Sequence, residues 1–169
     1  MKTPVSYGDK LTCIMLTFGV VPKMPAHFQT DQERMPDLSD WRPEYSVGHL
    51  TLDTQHQRLL ALCKRVSAYE FRRDKQSLEE FHNILNDLAA YASMHFQTEE
   101  AVLKAVDYPA LAAQKQEHDA YSESLVEFMF DAIHGEPDKL RLQRYLETWW
   151  IDHILVSDMA YKTYLLARS

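Results

Sequence analysis

From residue 52 onward the apolar side chains return every three or four positions, and the only breakers are Pro109, Gly135 and Pro137. That spacing leaves little choice but amphipathic helices. The first is expected from Leu52 or Asp53, with Asp53 as its cap and Leu59, Leu60, Cys63, Val66 and Tyr69 as its stripe. It would end near Arg72 and Arg73, where cations suit the C-terminal dipole. The second starts near Asp74 or Ser77, where Ser77-Leu78-Glu79-Glu80 matches a capping box. Phe81, Ile84, Leu85, Leu88, Tyr91 or Ala92, Val102 and Leu103 point inward, and Asp107-Tyr108-Pro109 stops it after about 40 Å. The third runs from Pro109 to His134 on Leu111, Tyr121, Leu125, Phe128 and Met129. The fourth follows Pro137 on Leu140, Leu142, Tyr145, Leu146, Trp149, Trp150, Ile154, Met159 and Tyr161. Short connections make successive helices antiparallel neighbours. The expected fold is all-α, an up-down-up-down antiparallel four-helix bundle with an irregular N-terminal extension.

Polar side chains interrupt these stripes at specific places. His56 shares the stripe of Leu59, Leu60 and Cys63. His95 and Glu99 stand four apart on the second helix, and Gln114 and His118 repeat that spacing on the third. Residues four apart share a helical face. His153 and Asp158 are five apart, which places them roughly 140° from each other on an α-helix. Imidazoles and carboxylates are costly to bury without partners, and metal ions supply compact compensation. Mixed nitrogen and oxygen ligation suits iron, with manganese and zinc as rivals. Phe96, Tyr121, Trp149, Trp150 and Met94 are candidates to line a pocket beside such a centre. Cys63 reads as a buried thiol one stripe position beyond His56.

The chain has 169 residues, 46% of them apolar, enough for one domain with a proper core. A net charge of -7 without a basic patch argues against a nucleic-acid partner. Two cysteines, Cys13 and Cys63, make no disulfide framework, so a reducing, cytoplasmic setting is expected. Residues 1–40 form the extension, broken by Pro4, Pro22, Pro25 and Pro36, and residues 41–169 form the bundle. The apolar run at 11–21 is too short to span a bilayer, lacks a convincing cleavage site, and reads as a loosely attached leader. There is no Gly-rich phosphate loop, CxxC pair or Ser-His-Asp order.

One further set of residues is informative in its order. Trp41, Tyr45-Ser46-Val47-Gly48 and Asp53-Thr54-Gln55-His56 come first. His95-Phe96-Gln97-Thr98-Glu99-Glu100, Tyr108-Pro109 and Glu117-His118 follow, and then Trp149-Trp150-Ile151-Asp152-His153 with Asp158. Over residues 41 to about 166 the chain resembles the hemerythrin family, specifically its bacterial members. The resemblance implies a non-haem di-iron centre that reversibly binds dioxygen. By position, His56 and His95 would ligate one iron, and His118 and His153 the other. Glu99 and Asp158 would bridge, with an oxo or hydroxo group. The chain departs from the family at Gln114, where the pattern has histidine. Three outcomes stay open: Gln114 ligates weakly through its amide oxygen, water takes the position, or Glu117 or Gln116 substitutes.

The leading functional expectation is an oxygen-binding iron protein serving storage, delivery or sensing, rather than an enzyme. A di-iron enzyme reducing peroxide or nitric oxide is the first alternative. A metal-bound redox-sensing interaction module with a separate redox or signalling partner is the second. In each, the small ligand is dioxygen or another diatomic, and no membrane span is expected.

Overall fold

The computed structural model describes residues 40–168. The expectations for the leader run, the N-terminal prolines and Cys13 lie outside the described residues.

Among the described residues a 3-10 turn, Pro43–Tyr45, leads into five α-helical segments: α1 (Leu50–Ala68), α2 (Lys75–Ala105), α3 (Leu111–Ile133), α4 (Lys139–Asp152) and α5 (Met159–Leu166). Between α4 and α5 the chain does not break. It passes through a π-helical turn, His153–Asp158, so α4, the turn and α5 form one continuous fourth rod. Among the described residues there is no strand, and no helix is long and apolar enough to cross a membrane.

Two apolar clusters set the packing. The larger joins Leu59, Cys63 and Val66 of α1 to Leu85, Leu88 and Ala92 of α2, Tyr121 and Leu125 of α3, and Leu146 and Trp150 of α4. The smaller gathers Val47, Leu52, Leu103, Tyr161 and Leu165 at the other end. Following each rod from one cluster to the other gives its direction. α1 runs from the small cluster to the large one, α2 back, α3 forward, and the fourth rod back again. That is the up-down-up-down bundle, with α2 against α1 and α3, and α4 against α1.

Several local expectations shift. Asp53 does not cap α1, whose first residues follow His49. Its carboxylate instead turns back to accept from Ser46 Oγ at 2.7 Å and from the Val47 N–H at 2.8 Å, which fastens the incoming loop. That loop turns at Gly48, whose φ of +79° favours glycine. α1 stops at Ala68, before Arg72 and Arg73, because the chain turns at Tyr69 to bury its ring and bond Ser77. At the next helix start Asp74 is the cap, accepting from the Ser77 N–H at 2.7 Å, and Ser77 Oγ accepts from the Arg72 N–H. α2 ends where Asp107 adopts φ +54°, a left-handed residue that lets the Tyr108 N–H reach back to the Leu103 carbonyl. Leu140, placed on the core stripe by periodicity, is 60% exposed.

Cys63 sits in the large cluster, and burial pushes its thiol up to about 12. Its thiolate fraction at pH 8 is then lower than that of a free cysteine by roughly a thousandfold. Iodoacetamide should label Cys63 in denaturant and leave it nearly untouched in the native protein. Peptide-resolved mass spectrometry reads the difference, and rapid native labelling would contradict this placement.

Candidate metal centre

Between the two apolar clusters every rod presents polar side chains inward. α1 supplies His56, α2 His95 and Glu99, α3 Gln114 and His118, and the π turn His153 and Asp158. All seven are buried, none more than 3% exposed. They lie one helical turn from apolar neighbours in both directions: Leu52 and Leu59 flank His56, and Leu103 and Ala92 flank the α2 pair. The periodicity that builds the core therefore also aims these groups at its middle.

The fourth rod needed more than periodicity. In α geometry His153 and Asp158 would diverge by about 140°. The π turn, in which bonds close from i to i+5, widens the helix and brings the fifth residue back toward the same face. Asp158 Oδ1 comes within 3.4 Å of His153 Nε2.

The two carboxylates have the same plan. Glu99 Oε2 lies 3.5 Å from His95 Nε2 and 3.9 Å from His56 Nε2, while its Oε1 lies 3.4 Å from His118 Nε2. Asp158 Oδ2 lies 3.3 Å from His56 Nε2, while its Oδ1 faces His153. Each acid thus divides its oxygens between a His56–His95 pole and a His118–His153 pole. Gln114 joins the second pole, its amide nitrogen donating to Asp158 Oδ1 at 3.2 Å. Two three-residue groups are close enough to hold an ion each: His56, His95 and Glu99, and Glu99, His118 and His153.

Outer contacts set the tautomers. Glu100 Oε1 accepts from His118 Nδ1 at 3.0 Å, and Glu117 Oε2 accepts from His153 Nδ1 at 2.7 Å. A carboxylate only accepts, so both Nδ1 atoms carry the proton. Gln55 spends its NH2 on Met94 Sδ and Thr98 Oγ1, leaving Oε1 to accept from His95 Nδ1 at 3.1 Å. In their neutral form these three imidazoles turn Nε2 inward as a lone pair. His118 Nε2 and His153 Nε2 meet at 3.2 Å. Two lone pairs at that distance repel unless a cation or a proton stands between them. His95 Nε2, Glu99 Oε1, Gln114 Oε1 and Asp158 Oδ2 are also buried without a hydrogen bond. Hydrogen-bonded outer nitrogens and unsatisfied inner ones fit a metal centre.

Without metal, protons redistribute over the same atoms. Burial opposes the charge of His56, but Asp158 and Glu99 beside it prevail and raise its pKa to about 9. Burial, and then the neighbouring His56, drop His95 to about 3. Burial would raise Glu99, yet the imidazoles of His118 and His56 beside it hold it well below the usual carboxylate range. Burial, with Glu99 adjacent, pushes Asp158 up. Metal binding must displace such protons.

The family model described as the hemerythrin HHE cation binding domain matches residues 47–165. The chain belongs to the hemerythrin family. A bacteriohemerythrin of Clostridium acetobutylicum is 27% identical over 126 residues, covering 72% of this chain and 96% of that protein. A hemerythrin-like protein of Naegleria gruberi is 28% identical over 128 residues, covering 76% and 94%. A wild-type hemerythrin crystal structure superposes with a TM-score of 0.65 at 24% identity, over 73% of this chain and 95% of that one, and attests the fold.

In this hemerythrin-family chain aromatic rings wall the polar layer. Phe96 stacks on His118 with centroids 3.9 Å apart and planes 7° apart, and Trp149 stacks on His153 at 4.2 Å. Trp150 meets His56 edge-on at 6.1 Å. Tyr121 stands behind this wall, against Phe96 and Trp149. Met94 is 40% exposed, and its sulfur accepts from Gln55 Nε2. Neither candidate substitute for Gln114 reaches the centre: Gln116 is exposed, and Glu117 approaches His153 from its outer nitrogen. Periodicity placed Tyr161 on the apolar stripe, yet its hydroxyl donates to Glu99 Oε2 at 3.1 Å, and neither Gln55 nor Glu100 was expected to support a histidine. Glu100 and Glu117 are each adjacent to an inward residue, and that adjacency was the available signal.

Proposed function

We propose that this chain holds two iron ions in its polar layer and binds dioxygen there, for storage, delivery or sensing. The observation that carries this reading is the division of labour in Glu99 and Asp158, each with one oxygen toward each histidine pair. Such carboxylates suit bridging. His56 and His95 would hold one ion, and His118 and His153 the other, joined by an oxo or hydroxo group. Nitrogen and carboxylate donors favour iron over soft-ligand metals. The ions would supply the electrons that dioxygen takes up on binding, while the protein excludes water with Phe96, Trp149 and Trp150.

Gln114 stands where the family pattern has histidine. With its amide nitrogen turned to Asp158, its unpaired Oε1 is left for an ion as a weak donor. The second pole would therefore be open to exogenous ligands, and that feature favours a second reading, a di-iron enzyme reducing peroxide or nitric oxide.

Anaerobic purification, metal analysis and an oxygen-titrated absorption spectrum separate these. Two irons per chain with bands that respond reversibly to oxygen support carriage. Rapid consumption of peroxide or nitric oxide supports the enzyme. A stable fold that takes up no iron would sink both.

A further inference from the structure

The π turn is a conformation that the chain would not choose on local grounds. Such turns are rare and frequently sit at functional sites. One side chain on α3 holds it from two directions. Glu117 Oε2 accepts from His153 Nδ1 at 2.7 Å, and Glu117 Oε1 accepts from Ser157 Oγ at 2.9 Å. These partners are the first and fifth residues of the six-residue turn. Relaxation to α geometry would swing the chain after the turn relative to His153 by about one residue's rotation, near 100°. One carboxylate gripping both ends resists that swing. Asp158, next to Ser157, would otherwise leave His153 and the His118–Gln114 side.

We propose that Glu117 is a positioning residue that locks the π turn, and thereby places both His153 and Asp158 at the pole that Gln114 shares. The consequence for iron rests on the di-iron reading; the lock itself does not. The arrangement is lopsided in a telling way. The His118–His153 pole has a carboxylate behind each imidazole, Glu100 and Glu117. At the other pole His95 leans on the neutral Gln55, and His56 Nδ1 has no hydrogen bond. Anionic partners raise imidazole basicity. The pole with the weak amide donor is therefore the one whose histidines are reinforced. Glu117 also borders a cleft of about 310 Å³ with Tyr145, Trp149, Asp152 and His153, so the clamp is reachable from solvent.

The test uses the full chain in two states. In the metal-free protein, hydrogen exchange should accelerate at residues 153–159 in Glu117→Ala and remain near wild type in Glu117→Gln, whose amide can still accept from His153 and donate to Ser157. Ser157→Ala removes one leg of the clamp and should give a smaller acceleration, which keeps the test usable if Glu117→Ala folds poorly. In protein loaded with ferrous iron, Glu117→Ala should release one ion of the two to a ferrous chelator about 10–100-fold faster, the usual scale for outer contacts of a metal ligand. Unchanged exchange in both alanine variants overturns the lock, whatever the iron does. Accelerated exchange in a chain that binds no iron upholds the lock and removes the di-iron reading instead.

Discussion

Glu99→Gln is expected to cost the protein both metal ions while leaving the bundle folded. Glu99 is fully buried, and it alone among the α2 side chains faces both poles, through His56 and His95 on one oxygen and His118 on the other. A glutamine keeps the shape and one oxygen, so Tyr161 still finds an acceptor. It loses the charge, and it turns an NH2 toward one of the histidine pairs. A neutral amide cannot bridge two cations. The loss should exceed the roughly 10–100-fold that outer-contact changes cost, and Glu100→Gln, which touches only the outer nitrogen of His118, is the comparison for that smaller scale. Metal content per chain and far-UV circular dichroism read the two halves of the prediction. A folded Glu99→Gln protein with a full complement of iron would remove the bridging role.

The second large effect is expected in the opposite direction. Gln114→His should tighten the second pole and lengthen the life of the oxygen-dependent absorption band. Gln114 already lies in the layer, 3% exposed, four residues before His118 on the same face of α3. A histidine there offers an imidazole nitrogen where the amide offers a poor oxygen donor. It also gives up the amide's hydrogen bond to Asp158, freeing that oxygen for metal. Iron at this pole should resist a chelator better by on the order of tenfold or more, the scale on which even outer contacts act. The decay of the band after oxygen exposure should slow in the same variant. Decay at the native rate, or faster, would mean that glutamine is no handicap, and would shift weight toward a site adapted for turnover.

These two variants also mark where residue pattern and tertiary structure each speak. The helices, their order and direction, and the inward aim of His56, His95, Glu99, Gln114 and His118 follow from three-four spacing. That spacing is a property of the chain alone, and it ties each polar group to the apolar neighbours that must be buried with it. Turn chemistry was less legible. Asp53 and Ser77 look like caps from their neighbours, yet Asp53 fastens the loop before α1, and Ser77 serves Tyr69 and Arg72 while Asp74 caps. A short polar side chain has several backbone groups within reach, and the path of the loop decides among them.

His153 and Asp158 are the sharper case. Read as an α-helix, their spacing sends them about 140° apart. No residue inside the segment announces a π turn, since the conformation is held by a partner on α3 and not by local preference. Composition and periodicity by themselves determined a four-helix bundle with a polar layer across its middle. Only the packed structure decided that the last two side chains enter that layer together, because a helix changes its pitch when contacts from a neighbouring helix outweigh the bonds along its own backbone.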